Sequence, residues 1–393
     1  MTTTIGIGFG DTASGVDYVI NALKDAKGNP TPLAVTKVHN QTNLLNRFYS
    51  AWGPKSTYVL RVTSTEHIFE NGVNSWADPN ITASNWFTAM QPFINASPYA
   101  HFEVGGPGFN TDDPRFATHY ANTVMAAMRL LDNANKKGVV LSFYEGNPHT
   151  LSDGMGIDGW APYRPVINLA AQMRFPLGMQ GYWVDGNMSP TDDWHNYRLV
   201  RVIRDYPGMF PAGTQFLKGE GGIDLKTMPP KGWKTALNLD AKRFMEGIAA
   251  EDDFWQHAAM PLGCVYLGTA YFALHNPGSS EWDDFDLGPV LPFMMPRIIS
   301  SYGTPTAPPP PQDTVVEVGI KDPGTSWLNV RSGPGWLYSK INKFYPTDRM
   351  LLSGEALANV VNVEGCWVWC NGTLKDPNKK GWVAGWLLER KPY

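Results

Sequence analysis

Gln215-Phe216-Leu217-Lys218-Gly219-Glu220-Gly221-Gly222-Ile223-Asp224 holds an apolar run that stops at a carboxylate, with glycines directly after it. A buried parallel strand that delivers an acid into a site and then turns away reads this way. Similar short apolar runs recur on either side: Ile5–Phe9, Leu33–His39, Tyr58–Val62, His101–Val104, Val139–Tyr144, Met179–Val184 and Cys264–Leu274. Helical stretches separate them, among them Asn43–Trp52, Ser84–Asn95, Arg115–Asn135, Tyr163–Met173 and Ala241–Glu251. Eight strands alternating with helices predict an α/β fold, a (β/α)8 barrel, with a doubly wound open sheet as the alternative. The glycines of the first run suit a loop equally well.

Thr304-Pro305-Thr306-Ala307-Pro308-Pro309-Pro310-Pro311-Gln312-Asp313 is a proline-rich, extended spacer. It divides the chain into a barrel over residues 1–300, a linker over 301–314 and a small module over 315–393. The module carries turn punctuation at Asp322-Pro323-Gly324, Ser332-Gly333-Pro334-Gly335 and Asp376-Pro377-Asn378. It reads as all-β, a barrel of five or so strands.

The charged fraction is 17% and the net charge −4, which argues against a nucleic-acid or anionic-membrane partner. No stretch reaches the roughly 20 apolar residues of a membrane helix. The N-terminus lacks a signal peptide's charged and apolar regions. The chain then stays inside, or leaves by lysis or another route, or has had its signal trimmed; action at a cell surface or outside the cell is the expectation. Fifteen Trp, 16 Tyr and 18 Phe suit the faces of sugars as well as cores. No His-Glu-x-x-His, paired Cys-x-x-Cys or complete Gly-x-Gly-x-x-Gly motif is present, so neither metal nor cofactor is expected.

Two resemblances rest on specific residues. Leu328-Asn329-Val330-Arg331-Ser332-Gly333-Pro334-Gly335, closed by Gly381-Trp382-Val383-Ala384-Gly385-Trp386-Leu387, resembles a bacterial SH3-like domain. Such domains often bind cell-wall polymers, and others mediate protein contacts. The first 300 residues resemble clan A cellulase-like glycoside hydrolases. The matching pieces are His101-Phe102-Glu103-Val104-Gly105, Phe143-Tyr144-Glu145-Gly146-Asn147-Pro148, Gly219-Glu220-Gly221-Gly222-Ile223-Asp224 and Trp282-Asp283-Asp284-Phe285-Asp286. In that family strand seven ends in a nucleophilic Glu, the place of Glu220. Strand four ends in Asn-Glu-Pro with the acid/base Glu, where this chain has Gly106 and Pro107.

Hydrolysis by two carboxylates needs them about 5–5.5 Å apart for retention or about 6.5–9.5 Å for inversion. Glu145, at the end of predicted strand five, is the leading partner for Glu220; its bland alternative is a loop carboxylate capping a turn. Glu103 lies inside strand four. It reads first as a structural ion pair with Arg61 or Lys37, since an unpaired buried charge is costly, and second as the acid. Trp183, Asp185, His275, Asn276 and Trp282 gather near the ends of strands six and eight as substrate contacts, with Trp282 as a sugar floor. Arg61 and His39 join them from strands three and two. Packing or turn roles stand beside each.

The expectation is therefore a glycoside hydrolase-like protein acting on a polysaccharide or peptidoglycan glycan and tethered by its small module, in the manner of a phage-type lysin. The alternative is a non-catalytic glycan-binding or virion component on a degenerate barrel. Everything turns on Glu220 projecting, ionised, into an accessible pocket.

Overall fold

The computed structural model describes residues 3–10, 15–25, 27–105, 113–144, 148–154, 156, 158–189, 192–206, 208–258, 260–261, 263–274, 282–303, 315–320, 327–331, 340–345, 350–353, 367–370, 381–384 and 388–390. The chain divides into two compact units: Met1–Asp252 with Met260–Gly303, and Asp253–Ala259 with Thr304–Tyr393.

The first unit is a closed barrel of parallel strands in sequence order, β1 to β8, which excludes the doubly wound sheet. The strands are β1 (Ile5–Phe9), β2 (Val35–His39), β3 (Thr57–Arg61), β4 (His101–Glu103), β5 (Lys137–Phe143), β6 (Leu177–Trp183), β7 (Gln215–Ile223) and β8 (Val265–Leu274). Helices fall between them: α1 (Val16–Ala22), α2 (Thr42–Trp52), α3 (Thr63–Asn74), α4 (Pro79–Ala96), α5 (Pro114–Asn133), α6 (Arg164–Met173), α7 (Arg198–Asp205), α8 (Trp233–Ala236) and α9 (Ala241–His257). A last helix, α10 (Leu291–Gly303), buries Leu291, Met294, Met295 and Ile298. The glycines of the first run belong to β1. A Cβ on Gly6 would meet the carbonyl oxygens of Val35 and Thr269 at 2.4 and 2.7 Å, so only glycine lets β2 and β8 close on β1.

One layer of the barrel interior is apolar: Val35, Val59, Val139, Leu217 and Ala270 are all buried and cluster together. Layered inward side chains from successive strands are what such a barrel requires. Two residues further along β2 and β3, on the same face, stand Lys37 and Arg61, so the apolar layer gives way to a charged one.

β7 departs from the sequence reading. The strand does not end at Glu220; it runs on through Gly221, Gly222 and Ile223. Met179 pairs with Lys218 and Gln180 with Glu220, leaving Gly219 as an extra residue, a β-bulge. The bulge breaks the alternation of faces. Lys218 points outward to Glu251 of α9, and Glu220 points inward.

In the second unit the described strands form two antiparallel sheets. These contain β9 (Val315–Ile320), β10 (Leu328–Arg331), β11 (Lys340–Phe344), β12 (Met350–Ser353), β13 (Trp367–Cys370), β14 (Gly381–Ala384) and β15 (Leu388–Arg390). Their orders are β11-β10-β14-β13 and β12-β9-β15, seven strands where about five were expected. Helix α10 also runs to Gly303, past the expected boundary at 300, and the spacer 304–314 lies outside the described residues.

Candidate functional site

β2, β4 and β7 are not neighbours in the barrel, so side chains that meet from all three meet in its lumen. Lys37 of β2 does this. Its Nζ lies 2.9 Å from Oε2 of Glu103 and 3.0 Å from Oε1 of Glu220, and its side chain is completely buried. Glu103 is equally enclosed, at 1% exposure, and its other oxygen, Oε1, has no hydrogen-bond partner among the described residues. Lys37 is thus the partner that a buried Glu103 requires, and the same ammonium also holds Glu220.

Arg61, the last residue of β3, completes the cage. Its Nη1 donates to Oε1 of Glu220 at 2.6 Å. Its Nε and Nη2 donate to the two oxygens of Glu66 on α3, at 2.5 and 3.2 Å. The guanidinium fork is therefore shared between a positioning carboxylate and Glu220. The two oxygens of Glu220 are treated unequally: Oε1 takes both cations, while Oε2 accepts a hydrogen bond from the Tyr182 hydroxyl at 3.0 Å.

Burial alone would raise the pKa of Glu220, but the charges of Lys37 and Arg61 outweigh it and hold the carboxyl far below the ordinary range. Glu103 is held down in the same way, burial opposing and Lys37 and Arg61 prevailing. His39 ends β2 with Nε2 4.0 Å from Glu220 Oε1. Burial first, and the Lys37 charge second, bring the imidazole pKa down to about 3, so it is neutral.

Beside this layer runs an aromatic wall. Tyr182, Phe272 and Phe285 are buried together, with half-buried Trp282 packed on them. Trp282 meets Phe272 and Phe285 edge-on at 5.5 and 5.6 Å, and Phe272 lies 6.1 Å from the His39 ring.

The structure thus brings Glu220, Glu103, Arg61 and His39 together, with Trp282 on the adjoining wall. It differs from the sequence reading in several respects. The Glu220 side chain is only 10% exposed, not openly accessible. The shared Nζ keeps Glu103 Oε2 and Glu220 Oε1 within about 5.9 Å, nominally near the ~5–5.5 Å of a retaining pair. Lys37 lies between them, however, and pairs with Glu103.

Trp183 is 1% exposed, with Lys218 over its ring at 5.8 Å and Tyr197 edge-on at 6.4 Å. Alternation along β6 turns it away from Tyr182 and into the helix layer, so it offers no face to a ligand. Asp185 accepts from the backbone and side-chain nitrogens of Asn187 at 3.0 and 3.1 Å. Glu145, His275, Asn276 and Pro107 lie outside the described residues.

Tyr182 and Lys37 are the functional neighbours of Glu220 that sequence reading did not place there. The signal for Tyr182 was its position one residue before Trp183 on the same predicted strand. Among the described residues no group of three or more His, Cys, Asp or Glu side chains is placed to hold a metal ion. No helix among them is long and apolar enough to cross a membrane.

No protein-family model matches the chain, and no curated protein does. Solved structures do align. A triply substituted endo-β-1,4-glucanase from Xanthomonas axonopodis pv. citri matches at 12% identity over 76% of this chain and 100% of that one, with a TM-score of 0.38. A mannotriose complex of Thermomonospora fusca β-mannanase matches at 14% identity over 76% and 92%, TM-score 0.38. A Prevotella bryantii endo-β-mannanase/endo-β-glucanase matches at 12% identity over 77% and 49%, TM-score 0.40. Similarity at this level concerns the barrel alone, which the strand order already establishes.

Proposed function

We propose that this chain is a glycoside hydrolase-like protein that takes a saccharide at the carboxyl end of the barrel, with Glu220 as the nucleophile. One observation carries the reading: Glu220 is kept ionised in the lumen, anchored by cations on Oε1 and, among the described residues, held on Oε2 by a tyrosine hydroxyl. Oε2 is then the oxygen that faces an anomeric carbon. A nucleophilic carboxylate must stay charged at neutral pH and fixed in orientation, and this cage does both. Trp282 and the wall behind it supply the apolar surface for the C–H face of a sugar ring. The proton for the leaving group comes from Glu145, two residues beyond β5 in the sequence.

A second reading has its own observation. Of the described groups gathered around Glu220, Glu103 is held ionised and His39 neutral, so neither is suited to be a general acid. If Glu145 does not serve, the barrel binds glycan without cleaving it. In either reading the small C-terminal unit is a tether to a surface polymer, such as peptidoglycan, and raises the barrel's effective concentration there.

The test is reducing-sugar release from a panel of β-glucans, mannans and peptidoglycan, with binding to the same panel measured in parallel. Glu220→Gln and Glu145→Gln should each abolish release while binding persists. Binding without release by the wild type selects the non-catalytic reading. Absence of both removes the carbohydrate assignment.

A further inference from the structure

The adjacent strands β4, β5 and β6 bring enclosed polar groups into the lumen that the cage around Glu220 does not use. On β6, Tyr182 faces the lumen, so alternation turns Gln180 the same way, and Gln180 is also the register partner of Glu220 on β7. Gln180 is 1% exposed, and neither its Oε1 nor its Nε2 has a hydrogen-bond partner among the described residues.

β5 adds a hydroxyl. Val140 pairs with Leu177 and Phe143 with Met179, so Leu141 and Ser142 together oppose the single residue Gly178, and Leu141 sits in left-handed backbone at φ 57°. The bulge places Ser142 in the lumen: a Cβ on Gly178 would collide with Ser142 Oγ and stand 2.8 Å from Val139 of the apolar layer. Ser142 is completely buried, and its Oγ also has no partner among the described residues. The third group is Oε1 of Glu103 on β4, whose register partner on β5 is Val139; it is unpartnered among the described residues too.

A buried polar group without a partner bears the whole cost of leaving water, so such groups gathered on adjacent strands call for a shared ligand. Their chemistry selects it. The carboxylate and amide oxygens accept, the amide nitrogen donates, and the hydroxyl does either. A water molecule, with two donors and two acceptors, joins such a set. A hard cation asks for about six or more oxygens and would face the Lys37 ammonium held on the other oxygen of Glu103. Residues enclosed to this degree are closed to a sugar.

We propose that the barrel lumen contains an internal water site bounded by Gln180, Ser142 and Glu103. Water there donates to Glu103 Oε1 and accepts from the Ser142 hydroxyl and the Gln180 amide. Glu103 is then bonded on both oxygens, and the cage that fixes Glu220 rests, through Lys37, on bound solvent. The inference stands whether or not the barrel cleaves a glycan.

The test is a high-resolution crystal structure of the full-length protein, with thermal unfolding of Gln180→Met measured beside the wild type. A solvent peak should lie about 2.6–3.2 Å from Glu103 Oε1 and from Ser142 Oγ or the Gln180 amide. Gln180→Met keeps the length and removes the amide, so its melting temperature should fall by about 3 °C or more. If that variant does not fold, Ser142→Ala takes its place with the same expectation. The absence of such a peak, or a peak ringed by contacts of about 2.3–2.6 Å, which mark a cation, overturns the water site. A smaller fall, or a rise, also overturns it, because exchanging an amide that has no partner for an apolar side chain is neutral or stabilising.

Discussion

Lys37→Met is the most informative single perturbation of this barrel. The side chain is fully buried and its ammonium touches two carboxylates, at 2.9 and 3.0 Å. Methionine is of similar length and unbranched, so packing is nearly conserved while the charge is lost. Among the described residues Glu103 then has no cation in direct contact, and Glu220 keeps only Arg61, His39 being neutral and Tyr182 a hydroxyl donor. Glu66, on α3, remains engaged by Arg61.

Breaking a buried pair by removing one partner costs about 3–5 kcal/mol, which for a unit of this size lowers the melting temperature by roughly 6–20 °C. The loss depends on pH with a definite sign. In the wild type both carboxyls have folded values below the ordinary one. Their stabilisation is therefore complete above about pH 4.3 and is lost as pH falls towards the depressed values. In the variant, burial without Lys37 raises Glu103 above its unfolded value. Its burden is then least below about pH 4.3 and grows as pH rises through the raised folded value. The wild-type-minus-variant difference should accordingly be largest at pH 7 and shrink towards pH 4.5. Urea unfolding of both proteins at the two pH values measures it. A deficit below about 1 kcal/mol at pH 7, or an equal deficit at both, would refute the claim that Lys37 neutralises this layer.

Three further outcomes follow from the same geometry. Glu220→Gln leaves Lys37 on Glu103 and Arg61 on Glu66, so its stability loss should be about 1–3 kcal/mol, smaller than that of Lys37→Met in the same urea experiment. Deleting Gly219 removes the bulge but leaves Lys218 and Glu220 consecutive, so ordinary alternation still sends Lys218 outward and Glu220 inward; circular dichroism and gel filtration should report a retained barrel, as for Gly219→Ala, whose Cβ would lie 3.6 Å from Lys37 Nζ, and loss of the barrel on deletion would count against Gly219 as the extra residue. His39 is half-buried and held neutral with a pKa near 3, below its unfolded value, so its contribution is present above about pH 6.5 and lost as pH falls; His39→Gln should flatten the decline of stability between pH 6.5 and 4.5, and an unchanged slope would count against a neutral imidazole.

The order of elements was legible in the sequence because each barrel strand is buried on both faces and therefore written as a short apolar run. Ile5–Phe9 was read to the residue, and the other runs to within a few residues at most ends. Helices α3 and α7 escaped because their buried positions are few and interrupted. Three of the eight residues of α7 are arginines or aspartates beyond Arg198, and Arg198 is itself buried against Asp153. Glu103's need for Lys37 or Arg61 was legible too, because a charge inside a barrel requires a counter-charge.

What the sequence determined by itself was a barrel of alternating strands and helices, a small β module after a proline spacer, and a short set of acids at strand ends. Only the tertiary structure decided which way those acids face. Because Gly219 bulges instead of pairing, Lys218 and Glu220, two apart in the sequence, face the helices and the lumen, and simple alternation turns Trp183 away from the site while Tyr182 faces it. Facing depends on strand register, and register is set by hydrogen bonds to neighbouring strands far away in the chain, so no local pattern of residues encodes it.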